Sequence, residues 1–346
     1  MERPRIAILF GGCSEEHDVS VKSAIEIGAN IDRQRYEPVF VGITRAGVWQ
    51  VCDGPSAGWE TRSCVRAVLS PDRETHGLLV AGDHEPRPVR LDAVFPVLHG
   101  TTGEDGAVQG LLELAGIPYV GCDIASSAIC MDKSLAYVVA RAAGIATPTF
   151  RVLDAAAPVA PVALDGLEYP VFVKPARSGS SFGVSRVESP DDLDAALAAA
   201  RRYDDKVVVE EAIVGTEVGC AVLGRGTDLT VGEVDQITLQ HGFFRIHQEA
   251  APEHGSENAV VTVPAALPDA TRARIQQTAQ QIYRALGCGG LARVDMFLQD
   301  DGRIVLNEVN TLPGFTTYSR YPRMMAAAGL DLTDVIDRCL AAALGR

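Results

Sequence analysis

Apolar and polar positions along this chain keep two rhythms, and the rhythm changes mark its elements. Arg5 to Phe10, continuously apolar over Ile6-Ala-Ile-Leu-Phe10, reads as a buried strand. A helix from about Val19 to Ile31 and a strand from Glu37 to Ile43 follow, a βαβ opening that implies a parallel sheet. Leu91 to Leu98 predicts another strand, then a helix to about Ala115. A helix after Gly121 carries Met131-Asp132-Lys133 to about Ala143 and stops at Gly144. Strands ending at Lys174 and running from Lys206 to Glu210 and Val218 to Leu223 follow, with a helix near 191–202. Ile275, Ala279, Ile282 and Leu286 share one face of a helix from Asp269 to Leu286, and helical segments close the chain after Phe315–Arg323. Residues 54–90 look irregular, and 152–168 are an Ala/Pro-rich connection. Residues 239–260 lack sustained periodicity, and ordered loops of that length are usually functional lids.

The run from Gly290 to Gly314 is the most informative. Two apolar segments flank Asp301-Gly302, a strong signal for a two-residue hairpin turn. Counting outward, Gln299 faces Ile304, Asp295 faces Glu308 and Arg293 faces Asn310. Alternation then sets Arg293, Asp295, Glu308 and Asn310 on one face. The other face is apolar apart from Asn307. Two carboxylates directly opposite each other repel. A solvated polar face is the bland reading, but this one is poor in Lys and Thr. A hard divalent cation resolves the conflict, since two carboxylates and an amide are oxygen ligands suited to Mg²⁺. Arg293 beside it suits an anionic group. The pattern expects a Mg²⁺–phosphate centre.

Composition narrows the partners. The chain has 346 residues, 47% hydrophobic and 22% charged, enough for two or three domains. No apolar run reaches a membrane span, and the N-terminus opens directly into a strand, so a cytoplasmic protein is expected. A net charge of −14 argues against nucleic acid or an anionic membrane as partner. Eight cysteines without Cys-x-x-Cys spacing read as free thiols in a reducing compartment.

The loops carry further candidates. Gly11–Asp18 lacks the G-x-G-x-x-G fingerprint, which disfavours a nicotinamide cofactor. Glu15 and Glu16 there suit an ammonium group, with ordinary acids at a helix N-terminus as the alternative. His99 ends a strand inside a Gly-rich loop, where ligands of parallel sheets bind. Ala176–Gly183 is a small-residue loop that can lay backbone amides over phosphates, with Lys174 just before it. The apolar crossover at 212–217 could cover an adenine, with Glu217 available for ribose hydroxyls; an ordinary connecting strand is the alternative.

Five ordered motifs then carry a resemblance: Gly-Gly-Cys-Ser-Glu-Glu-His-Asp-Val-Ser, Leu-His-Gly-x-x-Gly-Glu-Asp-Gly, Met-Asp-Lys-Ser, Lys-Pro-Ala-Arg-Ser-Gly-Ser-Ser and Asn-Glu-Val-Asn-Thr-Leu-Pro-Gly. Across essentially its whole length the chain resembles the D-alanine–D-alanine ligase family of ATP-grasp enzymes. Phe-Arg-Ile-His247-Gln-Glu and His254-Gly-Ser-Glu-Asn bring it nearest the D-alanine–D-lactate ligases of vancomycin resistance. The resemblance implies an α/β fold with α+β elements: a Rossmann-like parallel-sheet domain (1–124), then central (125–214) and C-terminal (215–346) ATP-grasp subdomains. The last carries the 239–260 lid and the 290–314 metal hairpin.

It also implies roles. Lys133, Lys174 and Ser180 hold ATP phosphates, Glu210, Glu211, Ala212 and Ile213 line the adenine pocket, Glu217 takes the ribose, and Asn307 and Glu308 complete the nucleotide site. Asp295, Glu308 and Asn310 bind two Mg²⁺ ions, for which Mn²⁺ can substitute. Glu16 takes the ammonium of the first D-alanine, with His99 and Ser180 nearby. Arg293 and the Gly314 amide form the oxyanion site; Ser319 and Arg320 take the carboxylate of the second substrate. His247, when protonated, would repel an ammonium nucleophile and admit D-lactate. The implied reaction is ATP-dependent ligation through D-alanyl phosphate by a homodimer, with a plain D-alanine–D-alanine ligase as the alternative.

Overall fold

Why the first sheet is buried on both faces is visible in its central strand. Ile6, Ile8 and Phe10 enter one core while Ala7 and Leu9 enter another. The computed structural model describes residues 3–154, 164–179, 181–239 and 258–345. This first sheet holds β1 (Arg5–Gly11), β2 (Glu37–Ile43), β3 (Trp49–Cys52), β4 (Val65–Leu69), β5 (Gly77–Val80), β6 (Arg87–Arg90) and β7 (Ala93–Pro96). Their order is β6-β5-β4-β3-β2-β1-β7. β1 runs parallel to β2 and β7, as the βαβ pattern expects, with α1 (His17–Asn30) and α2 (Ala107–Ala115) as its helices. The other neighbours pair antiparallel, so 49–90 is a meander, and the stretch 54–90 expected to be irregular holds three of its strands. Its strands have four or five residues, and β6 is almost wholly exposed, too little alternation to register as a period.

The helix expected through Met131-Asp132-Lys133 is two: α3 (Ile124–Met131) and α4 (Lys133–Ala142). Asp132 breaks it by turning extended (ψ 101) and capping α4, its carboxylate accepting from Ser134 N at 3.1 Å and Leu135 N at 3.2 Å. Lys206 Nζ donates to the same carboxylate at 2.8 Å. Lys133 thereby becomes the first residue of a helix.

The second sheet contains β8 (Phe150–Leu153), β9 (Val171–Pro175), β10 (Ser185–Val187) and β11 (Val207–Glu211), ordered β10-β9-β11-β8 and backed by α5 (Leu193–Ala200). The third contains β12 (Thr216–Arg225), β13 (Asp228–Leu239), β14 (Ala259–Thr262), β15 (Gly290–Leu298) and β16 (Ile304–Asn310), ordered β14-β13-β12-β15-β16. α6 (Asp269–Ala285) packs on it through Ile275, Ala279 and Ile282. The cores run across the expected domain limits. Tyr137 and Ala140 of α4 join the third sheet's core. α7 (Arg320–Ala327) and α8 (Leu332–Ala343) return to the first, where Met324 and Ile336 meet Ile8 and Phe10. Among the described residues no helix is long and apolar enough to cross a membrane.

The β15–β16 hairpin departs from simple counting at two points that cancel. Leu298, not Gln299, lies opposite Ile304, because three residues (300–302) make the loop. Gln299 N–H donates to Arg303 O at 2.9 Å and Gly302 takes the left-handed conformation (φ 82) that such loops require. A bulge at Asn307 then restores the register, so Asp295 faces Glu308 and Arg293 faces Asn310. The polar residue that broke the apolar face is the bulged one.

Replacing Asp132 by alanine should lower stability by roughly 1–2 kcal/mol, the worth of a strong cap. Urea midpoints equal to those of the unaltered protein would show that the cap does not hold the α3–α4 break.

Candidate functional site

Asp295 is completely buried in the middle of β15. Arg293, two residues earlier on the same face, donates to it from Nε at 2.9 Å and Nη2 at 2.8 Å. Asn310 Nδ2 donates at 3.2 Å, and Arg320 Nη1 lies at 3.1 Å. Burial opposes the Arg293 charge, but Asp295 more than offsets this and its pKa is raised. Glu308, opposite Asp295, has Lys133 Nζ at 3.6 Å. The carboxylate conflict read from the sequence is thus answered by three of the protein's own cations. Among the described residues no three His, Cys, Asp or Glu side chains converge on one point. Asp295, Glu308 and Asn310 nevertheless form an all-oxygen donor set suited to Mg²⁺ once the Asn310 amide turns its oxygen inward.

The two lysines are both buried and reach this region from different elements. Lys133 Nζ donates to Ser178 O at 2.8 Å, joining α4 to the small-residue loop. Lys174 Nζ donates to Glu210 Oε1 at 2.5 Å, and Glu210 also accepts from Tyr137 OH at 3.0 Å. The Tyr137 hydroxyl lies 3.0 Å from Asn307 O as well, so α4, β11 and the bulge are tied together. Glu211 accepts from Thr149 N at 2.7 Å, and Ala212 N–H donates to Pro170 O at 3.3 Å where β11 leaves the sheet, with Ile213 next along. Lys133, Glu308, Asn310, Ser178, Gly179 and Gly100 line one small cavity of about 30 Å³. Glu16 reaches the Gly100–Gly179 gap, where a Cβ on either glycine would meet its Oε2 at 3.0 Å. Glu15 is exposed.

His99 is a strut. Burial holds its pKa below the ordinary value against the pull of Glu16, and both ring nitrogens have protein partners. Nδ1 donates to Leu312 O at 2.8 Å, which leaves Nε2 to accept from Ser23 Oγ at 3.3 Å. Ser23 Oγ in turn accepts from Phe315 N at 3.1 Å. Glu104, which the sequence reading passed over, accepts from Gly100 N at 2.9 Å and Leu312 N at 3.0 Å. Burial and then Glu16 push its pKa up to about 7. Residues 312–315 from the C-terminal half are thus bolted to the first sheet's loops, which orients Gly314. A Cβ on Gly314 would lie 2.8 Å from Ser319 Oγ, itself hydrogen-bonded to Thr316.

Arg320 is similarly engaged. It donates to Asp235 from Nε at 2.6 Å and Nη2 at 2.7 Å, and Nη1 lies 3.5 Å from Glu217. With Asp295 as a further partner, the guanidinium expected to hold a substrate carboxylate is enclosed by three side-chain carboxylates. Gly219, opposite both Asp235 and Asp295, leaves the necessary room, since a Cβ there would stand 2.2 Å from Arg320 Nη2. Asp235 escaped notice because β13 itself did; a lone aspartate in an apolar strand was the available signal. Ser180, His247 and residues 240–257 of the expected lid lie outside the described residues. The segment's ends are adjacent, with Leu239 of β13 paired to Ala259 of β14.

Residues 5–122 match the family described as D-ala D-ala ligase N-terminus, and residues 139–341 match D-ala D-ala ligase C-terminus. The chain is 65% identical over 344 residues to the vancomycin/teicoplanin A-type resistance protein VanA of Enterococcus faecium, covering 99% of each. It is 64% identical over 344 residues to a putative D-alanine–D-lactate ligase of Streptomyces coelicolor, again covering 99% of each. Among solved structures, the VanG D-Ala:D-Ser ligase of Enterococcus faecalis matches with a TM-score of 0.88 and 40% identity, covering 99% of this chain and 100% of that one.

Two predictions follow from the buried charges. Arg320→Met strands Asp235 and weakens the pairing of Asp295, so it should cost roughly 3–5 kcal/mol, and adding Asp235→Asn should restore part of that loss. Equal chemical stability of Arg320→Met and the unaltered protein would refute the network. Glu104 has a folded pKa above its unfolded value of about 4.3, so its stabilising contribution is present below that value and fades as pH rises through about 7. Glu104→Gln should therefore lack this decline in urea titrations between about pH 5 and 8. The same decline in both proteins would assign it to another group.

Proposed function

The chain belongs to the D-alanine–D-alanine ligase family, and on that premise we propose that it joins D-alanine to D-lactate at the expense of ATP. The D-Ala-D-Lac depsipeptide would enter peptidoglycan precursors and confer vancomycin resistance. The observation that carries the reading is the Arg293–Asp295–Glu308–Asn310 face, which abuts the cavity shared by Lys133 and Glu308 and bordered by Gly100 and Gly179. The 64% identity to the putative D-alanine–D-lactate ligase of Streptomyces coelicolor supports the depsipeptide product over the dipeptide, and the 65% identity to VanA supports the resistance role.

ATP is the co-substrate. In this reading Lys133 exchanges its contact with Glu308, and Lys174 its contact with Glu210, for phosphate oxygens. Glu210 to Ile213 border the adenine, Glu217 is the ribose ligand, and Ser180 adds to the phosphate loop. Asp295, Glu308 and Asn310, with Asn307 setting the bulge, hold two Mg²⁺ ions or Mn²⁺. Those ions would neutralise phosphate charge during transfer. Glu16 fixes the D-alanine ammonium so that its carboxylate attacks the γ-phosphorus. The lid keeps water from the resulting acyl phosphate. D-lactate's hydroxyl then attacks the acyl carbon, and Arg293 with the Gly314 amide stabilises the oxyanion, each donor worth about 3–4 kcal/mol. Ser319 orients the second carboxylate. Arg320 acts through Asp235 and Asp295, and His99 through Leu312, rather than on the substrate. A homodimer in the ATP-supplied cytoplasm completes the proposal.

The test is competition between D-lactate and D-alanine as nucleophile, with product masses followed from about pH 6 to 9, across the ordinary imidazole pKa. Ester should dominate at the lower end and amide should gain as pH rises. His247→Tyr should flatten the profile towards dipeptide. A dipeptide product throughout would make this a D-alanine–D-alanine ligase, and a ratio indifferent to both pH and His247 would remove charge repulsion as the selector.

A further inference from the structure

A cavity of about 190 Å³ lies beside the loop between β3 and β4. It is lined by Cys52 and Cys64 together with Asp53, Ser56, Trp59 and Arg62. Gln50 pairs with Arg66 and Val51 with Val65, so the next step of that antiparallel register sets Cys52 opposite Cys64. Opposed residues on antiparallel strands have the Cα separation a disulfide needs. Each thiol makes only a weak S–H bond to a nearby backbone carbonyl: Cys52 Sγ donates to Gln50 O at 3.6 Å and Cys64 Sγ to Trp59 O at 3.6 Å. Two buried polar atoms in the same wall, Trp59 Nε1 and Ser56 Oγ, have no hydrogen-bond partner, so the cavity offers a small polar molecule both room and bonds.

We propose that Cys52 and Cys64 form a reversible disulfide when the folded protein meets a low-molecular-weight disulfide such as oxidised glutathione. The Cys64 thiolate attacks one sulfur of the small disulfide, forming a mixed disulfide and releasing one thiolate. Cys52 then loses its proton to solvent and displaces the second thiolate, closing the ring. Overall the protein dithiol is oxidised by two electrons, and one small disulfide is reduced to two thiols. Burial first and then the adjacent Cys64 push the Cys52 thiol up to about 12, so Cys52 stays protonated until the mixed disulfide has formed beside it. Access, not proximity alone, selects the pair. Cys130 and Cys288 have sulfurs 3.6 Å apart but are buried in the third sheet's core, and Cys122, Cys220 and Cys339 are buried too. Cys13 is exposed, but its described sulfur contact is with Thr44 O, at 4.0 Å.

The crosslink closes the loop that carries Trp59. That ring stacks at 6.4 Å on His17, next to Glu16, and packs edge-on against Phe10 at 5.0 Å. The full chain would be incubated with oxidised glutathione under native conditions, quenched with acid and mapped by mass spectrometry without reduction. The expected result is one internal link, Cys52 to Cys64, with a thermal midpoint raised relative to the reduced protein and returned by dithiothreitol. Cys52→Ser should instead trap glutathione on Cys64 and show no such rise. Stable glutathione adducts on both cysteines, no reaction at either, or a Cys130–Cys288 link formed first would each overturn the proposal.

Discussion

A carboxylate with no exposure at all, Asp295, sets the terms for the third sheet. An ionised group there must be paired or it would not stay ionised. Arg293 supplies one partner from the same strand, and Arg320 supplies a second from the start of α7. A second arginine brings its own demand, which Asp235 on β13 meets with two short hydrogen bonds, while Gly219 on β12 stays bare so that the guanidinium fits. Four elements of the described structure therefore meet at one charge. α7 is anchored there at its first residue, and the Met324–Met325 side of the same helix enters the first sheet's core.

The chemistry proposed for this centre draws on two sheets at once. Arg293 belongs to β15, while the amide of Gly314 is oriented by the first sheet's loops through His99, Glu104 and Ser23. An oxyanion site assembled this way depends on contact between the two halves of the chain. That explains why two groups never touching substrate in this account, the half-buried Glu104 and the buried His99, are both held by hydrogen bonds.

Much of this was legible from residue order. The βαβ start, the α6 face and the polar face of the hairpin depend on local period and turn chemistry, which the sequence displays. The hairpin also shows the limit. A three-residue loop and a bulge at Asn307 cancel, so the register of Asp295 with Glu308 and of Arg293 with Asn310 was right while Gln299 opposite Ile304 was not. Asp132 looked like a residue within a helix because capping and interior aspartates differ only in backbone conformation. The partners that hold Arg320 and His99 in place, Asp235, Leu312 and Ser23, lie 85, 213 and 76 residues away in the chain. Nothing local announces such pairings. The meander over 49–90 was hidden by strands too short to show a rhythm.

The central claim is that Glu308 and Asp295 face each other in order to hold a divalent cation with nucleotide. The most direct measurement is thermal unfolding with a non-hydrolysable ATP analogue, with and without Mg²⁺, for the unaltered protein and Glu308→Gln. In the apo state the substitution should move the midpoint little, since the lost repulsion with Asp295 is offset by the lost pairing with Lys133. With the analogue present, Mg²⁺ should raise the midpoint of the unaltered protein and leave that of Glu308→Gln nearly where it was. An equal Mg²⁺-dependent rise in both proteins would contradict the claim.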